Sequence, residues 1–155
     1  MVRLTGLFNS FLPIKALVIG DYMLDWYTTG SVKRISPEAP VPVVHVQREW
    51  EKLGLAANIG HNLKSLGIDS TLCGVIGEDL RAPRFESLLE ETHLKTWGIV
   101  RDPTRPTIFK ERITTSTQQV CRIDYEDKVS INKDVEKTLA ERVSDFLNEH
   151  SGLIL

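Results

Sequence analysis

The chain has 155 residues, of which 41% are hydrophobic and 26% are charged, as in an ordinary globular domain with a hydrophobic core. Its net charge of −2 excludes the basic excess of a nucleic-acid-binding domain. The sequence also lacks an acidic tail of the kind that indicates disorder. Apolar runs are much shorter than a membrane span, and Pro13 and Lys15 interrupt the run where a signal peptide would lie. We therefore expect a cytoplasmic protein that binds neither nucleic acid nor membrane.

Cysteine and histidine form no metal-binding or nucleophilic pattern. Cys73 and Cys121 are far apart, lie in apolar surroundings and lack C-x-x-C spacing, so we expect two buried free thiols. The four histidines are scattered, without the spacing of a zinc site. We predict no metal site and no histidine-dependent catalysis.

The first part of the chain predicts one helix and three strands. Leucine and phenylalanine recur at helical spacing over residues 4–12, and residues 15–20 form a compact apolar run typical of a buried strand. Two stretches of alternating polarity follow, at residues 26–35 and 41–48, with prolines at 37, 40 and 42. Because proline cannot donate to a central ladder, we expect both strands at an edge or outside the main sheet.

Two helices are predicted in the middle of the chain. The first begins at Gly54 and is stopped by Gly67. The apolar side chains that we expect on its inner face are Ala56, Ile59, Leu63 and Leu66. The second is capped by Asp79 and accepts Pro83 in its first turn. Its inward side chains are predicted to be Phe85, Leu88 and Leu89.

The remaining elements complete an alternation of strands and helices. Strands are predicted at residues 70–76, 96–100, 107–114 and 118–123. A fourth predicted helix, clearly amphipathic, covers 135–147, and residues 152–155 resemble the start of a buried strand. This order favours an α/β fold with a largely parallel sheet. Since the chain stops on entering a strand, we expect an incomplete sheet that belongs to a larger domain.

The first strand leads into an acidic segment that carries Asp21 and Asp25. In open α/β sheets, ligands bind at the carboxyl ends of the strands. An ionised carboxylate accepts hydrogen bonds, which suits the hydroxyls of a polyol. Equally well, Asp21 caps a turn and Asp25 is solvated. Position alone leaves both interpretations open.

The helix start at Gly54 combines small residues with an amide side chain. Small residues let a ligand approach free backbone N–H groups, and Asn58 can donate to one hydroxyl and accept from another. Close packing of the helix on the sheet explains the same residues and is the preferred interpretation of this segment alone. The chain has neither G-x-G-x-x-G nor G-x-x-x-x-G-K-[ST], so dinucleotide and P-loop sites are not supported.

A basic strand carries the third candidate site. Lys110 and Arg112 share one strand face, because strand side chains alternate. Two cations suit a phosphate, which an arginine binds through two hydrogen bonds and a lysine binds as a point charge. A solvated outer face is the slightly preferred interpretation. Nearby, Arg122 with Asp124 or Glu126 indicates a structural set of ion pairs.

Taken together, these stretches resemble the ribokinase-like, or PfkB, carbohydrate kinases. The likeness is to the N-terminal half of the heptose 7-phosphate kinase domain in the bifunctional heptose kinase/adenylyltransferases. It is carried by G-D-Y-M-L-D at 20–25, R-I-S-P-E-A-P-V-P-V at 34–43, A-A-N at 56–58, L-G at 66–67, G-E-D at 77–79, R-P-T at 105–107 with Lys110 and Arg112, and Q-Q at 118–119 with Arg122, Asp124 and Glu126. The run at 34–43 is highly specific, whereas A-A-N alone indicates only the wider superfamily.

The resemblance implies a Rossmann-like α/β fold in which the strands near residues 26–48 form a small β-lid. The resemblance further implies that, as in relatives, such a lid closes over the sugar and pairs with a second lid in a homodimer. The implied reaction is the ATP- and Mg²⁺-dependent phosphorylation of the anomeric hydroxyl of a sugar phosphate, heptose 7-phosphate, in the route to ADP-heptose for lipopolysaccharide. The implied sugar-binding residues are Asp21, Asp25, Gly54 and Asn58, with Lys110 and Arg112 for the existing phosphate.

Two features depart from the family pattern. Family members carry Gly-Gly before Ala-Ala-Asn, whereas this chain has Gly54 and Leu55. If that position needs a positive φ, leucine is strained by about 1 kcal/mol or more. Family members are also longer, and their later half holds the anion hole, the catalytic aspartate and the ATP pocket. We therefore expect residues 1–155 to contain no catalytic residue, to bind ATP and Mg²⁺ poorly and to show no turnover alone; the alternative is a non-catalytic sugar-binding or dimerisation module derived from a decayed kinase.

Overall fold

The computed structural model describes residues 14–149 and the backbone of residues 152–154. Within these ranges it contains seven strands and three helices. In chain order they are β1 (Lys15–Ile35), β2 (Pro42–Gly54), α1 (Leu55–Ser65), β3 (Asp69–Gly77), α2 (Ala82–Glu91), β4 (Lys95–Asp102), β5 (Ile108–Thr114), β6 (Gln119–Tyr125), α3 (Lys133–Glu149) and β7 (Gly152–Ile154). The helix predicted over residues 4–12 lies outside the described residues.

Strand β1 belongs to two sheets. Residues 15–21 pair in parallel with β3, and residues 15–17 pair in parallel with β7. From Met23 onward, β1 pairs with antiparallel β2 on one side and parallel β5 on the other. The prediction of two separate strands, at 15–20 and 26–35, is therefore wrong. The connecting residues stay extended because β2 and β5 satisfy their backbone hydrogen bonds.

The two sheets differ in strand direction. The parallel sheet has the order β4-β3-β1-β7, and the mixed sheet has the order β2-β1-β5-β6. The edge position expected for the two proline-flanked strands is confirmed for β2. Residues 26–35 continue β1 beyond its pairing with β3, so the other alternative, a strand outside the main sheet, is confirmed for them. Residues 26–29 lie between β2 and β5, and residues 30–35 pair with β2. The prolines at 37 and 40 lie in the connecting turn, so they remove no donor from this strand.

The parallel sheet carries the hydrophobic core on both of its faces. Helices α1 and α2 pack on the face that presents Val18, Leu72 and Ile76. Helix α3 covers the other face, where Phe146 packs on Leu17 and Cys73. Neighbouring strand residues point to opposite faces, so a parallel sheet covered on both sides needs these continuous apolar runs.

Helix α1 lies on the sheet through its smallest side chains. Ala57 and Gly60 are buried, and a Cβ at position 60 would overlap the side chain of Leu72. The prediction that Ile59 and Leu66 face inward is wrong, since they are 47% and 43% exposed. Close approach of helix and strand admits glycine and alanine but not longer side chains. The predicted stop after α1 is confirmed, because Gly67 adopts a φ of 86°.

Asp79 joins the start of α2 to the loop before β5. Its Oδ1 accepts hydrogen bonds from the backbone N–H groups of Arg81 and Ala82, both at 3.1 Å. Its Oδ2 accepts a further hydrogen bond from the N–H of Thr107, also at 3.1 Å. The predicted cap is confirmed, and Phe85 and Leu89 are fully buried as expected. One carboxylate thus caps a helix and fixes the loop that follows β4.

The cysteines differ from their prediction. Cys73 is buried against Leu17 and Phe146, and burial raises the pKa of its thiol. Cys121, which was expected to be buried, is exposed on β6. Strand β6 pairs only with β5 at the edge of the mixed sheet, so its apolar side chains have no covering layer among the described residues.

Candidate substrate site

A hollow of about 330 Å³ opens where β1 passes from the parallel sheet into the mixed sheet. Its lining comes from β1, the start of α1, the loop before β5, β5 itself and the segment after β6. The lining residues are Asp21, Leu55, Arg105, Ile108, Lys110, Glu126, Asp127, Lys128 and Val129. The hollow therefore lies at the carboxyl end of the parallel part of β1, where ligands bind in open α/β sheets.

Asp21 presents its carboxylate to this hollow. Its side chain is 60% exposed, and Arg105 Nη2 lies 3.5 Å from its Oδ1. The backbone before it is unusual, because Gly20 has a φ of 158°. Asp21 thus keeps acceptor capacity for a bound hydroxyl while a cation lies beside it.

Asp25 is held by the protein rather than by solvent. Its side chain is 7% exposed, and its carboxylate accepts hydrogen bonds from Arg112 Nε at 3.0 Å and from the Tyr27 hydroxyl at 3.1 Å. Burial lowers the pKa of the Arg112 guanidinium, but the charge and hydrogen bond of Asp25 outweigh it and raise that pKa overall. The solvated interpretation of Asp25 is therefore wrong. Asp25 lies in register with Lys110, beside the hollow but not in its lining.

Lys110 is the centre of an ion-pair set on the mixed sheet. Its Nζ lies 3.0 Å from Glu126 and 3.3 Å from Asp124. The hydrogen bond with Glu126, followed by that with Asp124, raises the pKa of Lys110 against the opposing effect of burial. Arg122 Nε lies 2.9 Å from Asp124, so the predicted pairing of these two residues is confirmed. Both predicted phosphate ligands, Lys110 and Arg112, thus already have carboxylate partners.

Gly54 and Asn58 lie at the start of α1. Gly54 is the N-terminal flanking residue of the helix, with φ −117° and ψ 172°, and a Cβ there would overlap the Met23 side chain. A side chain at this position would have to displace the flexible end of Met23, which agrees with the packing interpretation of this segment. Asn58 is half-buried, and its side-chain amide makes no hydrogen bond to any residue of the described range 14–149. It follows Leu55 by three positions, so the two share a helix face.

Leu55 adopts the left-handed backbone conformation. Its φ is 51°, its side chain is 46% exposed, and it forms one wall of the hollow. The conditional expectation of a positive φ at this position is therefore confirmed. A non-glycine residue in this conformation costs about 1–2 kcal/mol, because Cβ crowds the following carbonyl. The strain is located at the hollow itself.

Arg105 is a lining residue that the sequence analysis did not select. It lies in the loop after β4, at the same sheet edge as Asp21, so the strand-end rule used for Asp21 applies to it equally. Its side chain is only 8% exposed. Sequence could not show this burial, because a lone arginine in a loop is usually solvated.

The described residues contain no grouping suited to a metal or a membrane. Within 14–149, no three histidine, cysteine, aspartate or glutamate side chains are arranged to hold a metal ion. Over the same described range, each helix is too short or too polar to cross a bilayer.

The arrangement of parallel strands, strand-end acids and helix start agrees with comparison to known families. A model described as pfkB family carbohydrate kinase matches residues 14–148. The chain belongs to the pfkB family of carbohydrate kinases. The family resemblance stated from the sequence is thereby confirmed.

Individual curated relatives give a narrower comparison than the family model does. The chain is 44% identical over 141 residues to the bifunctional protein HldE of Helicobacter acinonychis strain Sheeba. It is 40% identical over 147 residues to the bifunctional protein HldE of Wolinella succinogenes. These alignments cover 91% and 95% of this chain but 30% and 31% of the relatives, so the chain spans less than a third of their length.

Solved structures with a similar backbone confirm the fold of this pfkB-family chain. A nucleoside kinase of Methanocaldococcus jannaschii, described as an archaeal member of the ribokinase family, has a TM-score of 0.52 at 19% identity over 73% of this chain and 36% of that one. Phosphofructokinase-2 of Escherichia coli, in complex with fructose-6-phosphate, has a TM-score of 0.61 at 17% identity over 86% and 42%. The predicted α/β, ribokinase-like fold is therefore correct.

Proposed function

We propose that the chain supplies the sugar-binding part of a kinase that phosphorylates the anomeric hydroxyl of heptose 7-phosphate, on the route to ADP-heptose and lipopolysaccharide. One observation carries the proposal: the exposed Asp21 carboxylate and the buried Arg105 guanidinium line the same hollow at the strand ends. The other charged residues of its lining are Lys110, Glu126, Asp127 and Lys128. Asp21 can accept hydrogen bonds from hydroxyls there, while Arg105 provides positive charge. This combination suits a ligand with both hydroxyls and an anionic group, and the 44% identity to HldE supports a heptose phosphate.

The remaining predicted residues support this ligand from the sides of the hollow. Asn58 has an amide without a partner among residues 14–149, and a polyol can use both its donor and its acceptor. Asp25 is held in place by Arg112 and Tyr27. Gly54 lets α1 start close to β1, so the first backbone N–H groups of the helix lie near Leu55 and the hollow. ATP and Mg²⁺ would be held by residues outside this chain.

The mixed sheet is the proposed lid. It contains the strands predicted near residues 26–48 and, in addition, β5 and β6. Apolar side chains remain open to solvent on it, with Ile35 59%, Val46 54% and Val32 38% exposed. Exposed apolar side chains on a sheet suit a second sheet of the same kind, so we place homodimer contacts here. We further propose that the protein acts in the cytoplasm, where the sugar phosphate and ATP are available.

Binding by the full 155-residue chain tests the proposed site. Since the resemblance places the catalytic groups elsewhere, calorimetric titration with heptose 7-phosphate is the direct measurement. Asn58→Ala is expected to weaken binding by about tenfold, because a hydroxyl loses a buried hydrogen-bond partner. The matched control, Asn62→Ala, removes an exposed amide one turn along α1 and should leave the affinity unchanged. Equal effects of the two substitutions would remove Asn58 from the site.

A second candidate is a non-catalytic module derived from a decayed kinase. The strained Leu55 favours it, because a side chain in the left-handed conformation narrows the hollow. The two candidates differ in their affinity for ligands, whereas both allow self-association through the mixed sheet. The sugar-binding part of a kinase binds heptose 7-phosphate more tightly than inorganic phosphate, whereas a dimerisation module binds both with the same affinity in calorimetric titration.

A further inference from the structure

The Arg105 side chain is the least satisfied buried cation of the hollow. It is 8% exposed, yet its only partner among the described residues is Asp21, at 3.5 Å. A guanidinium carries five N–H donors, so most of its hydrogen-bonding capacity is unused. Burying such donors costs free energy unless a ligand or water accepts from them. Arg105 lines the hollow, so a ligand bound there can supply acceptors.

The loop that carries Arg105 is fixed at both ends. Asp102 is fully buried, and its Oδ1 accepts hydrogen bonds from the backbone N–H and the hydroxyl of Thr104, at 2.9 and 2.6 Å. On the other side, the Thr107 hydroxyl accepts a hydrogen bond from the Gly77 N–H at 3.1 Å. Thr107 is also bound through its N–H to Asp79. Arg105 therefore projects from a preorganised loop, which lowers the entropy cost of binding.

The other cations near the hollow are less suited to an anion. Lys110 is paired with Glu126 and Asp124, and Arg112 is paired with Asp25. An anion that recruited either residue would have to break an ion pair in partly buried surroundings. Lys128 also lines the hollow, but it is exposed and well solvated.

We infer that Arg105, rather than Lys110 or Arg112, binds the phosphate that the sugar substrate already carries. The inference rests on the proposed function and names one residue of its site. A guanidinium matches phosphate oxygens through two parallel hydrogen bonds, which a lysine cannot supply. With Asp21 alongside, the hollow recognises a hydroxyl and a phosphate of one molecule at neighbouring positions.

The test compares three ligands on three versions of the full chain. Wild type, Arg105→Gln and Arg122→Gln are titrated by calorimetry with heptose 7-phosphate, unphosphorylated heptose and inorganic phosphate. Arg122 is the matched control, because it is paired with Asp124 and lies outside the hollow lining. We expect Arg105→Gln to lower the affinity for heptose 7-phosphate and for inorganic phosphate by about tenfold or more, and to leave the affinity for heptose unchanged. Arg122→Gln should change none of the three affinities.

Several outcomes overturn the inference. Equal weakening of heptose and heptose 7-phosphate by Arg105→Gln means that the arginine acts through Asp21. If wild type and Arg105→Gln bind heptose 7-phosphate equally tightly, the proposed function is retained but this role of Arg105 is removed. The converse outcome is that the binding of inorganic phosphate depends on Arg105 while heptose 7-phosphate binds no more tightly than inorganic phosphate. This result supports the role of Arg105 in binding phosphate and contradicts the proposed function.

A second measurement covers the case in which Arg105→Gln fails to fold, as judged by circular dichroism. Arg105→Lys keeps the charge but loses the two parallel hydrogen bonds, so an intermediate loss of phosphate affinity is expected. In the wild-type chain, inorganic phosphate should shift the backbone amide resonances of Leu55 and Lys128, which line the hollow. Absence of these shifts at saturating phosphate contradicts the inference.

Discussion

The parallel and mixed sheets share strand β1 but are stabilised differently. In the parallel sheet, Leu17 and Val18 point to opposite faces and are 0% and 1% exposed. In the mixed sheet, the same strand carries Asp25, which is held by an ion pair with Arg112 and lies in register with Lys110. Apolar burial is strong and non-directional, whereas ion pairs contribute little net stability and demand geometry. The first sheet therefore provides stability, and the second places charged groups beside a ligand site.

The hollow lies at the junction of the two sheets for the same reason. A backbone anchored by the hydrophobic core holds Asp21 and the start of α1 in place, while β5 brings Lys110 from the polar side. At this point of β1, a backbone anchored by the core lies next to charged side chains. Substitutions in the two sheets should therefore have unequal effects on stability.

The largest expected effect is in the core of the parallel sheet. Leu72 of β3 is fully buried against α1, so Leu72→Ala should lower the free energy of unfolding by about 2–5 kcal/mol. Urea denaturation of the chain measures this loss. Ile123→Ala on the mixed sheet, where the side chain is 38% exposed, should cost less than about 1 kcal/mol. Equal losses would mean that both sheets are stabilised alike.

A smaller effect is expected from the buried ion pair of the mixed sheet. Arg112→Met leaves the Asp25 carboxylate buried with only the Tyr27 hydroxyl, and should cost about 2 kcal/mol. Arg122→Met removes a half-exposed cation paired with Asp124 and should cost less than about 1 kcal/mol. The same urea titration measures both. A negligible cost of Arg112→Met would show that Asp25 is hydrated in solution.

The smallest expected effect is a gain in stability at residue 55, beside the junction of the two sheets. Leu55→Gly relieves the left-handed strain, and the greater entropy of glycine in the unfolded chain offsets part of it, which leaves a net stabilisation of about 0.5 kcal/mol. Leu55→Ala keeps a Cβ and hence the strain, so it serves as the control. Thermal denaturation should rank glycine above leucine and alanine. If alanine stabilises as much as glycine, the backbone of residue 55 is not strained.

Pattern-based reasoning worked where the local chain decides the outcome. The cap at Asp79, the stop at Gly67 and the inward face of α2 follow from neighbouring residues and are confirmed. It failed where the burial of a side chain depends on residues that are distant in the sequence. Ile59 was expected to be buried because it is apolar at the right spacing, but the close contact of Gly60 with Leu72 leaves it outside. Cys121 is exposed because no described layer covers β6.

The sequence by itself determined the α/β class, the family and the acids and helix start from which a site is built, since periodicity, caps and motifs are properties of short segments. Only the tertiary structure decided that β1 crosses between two sheets, that Lys110 and Arg112 already have partners, and that Arg105 is buried beside Asp21. Asp25 and Arg112 are 87 positions apart and meet through the pairing of β1 with β5, and Lys110 meets Asp124, 14 positions away, through the pairing of β5 with β6. Their charges therefore acquire partners that no local pattern records.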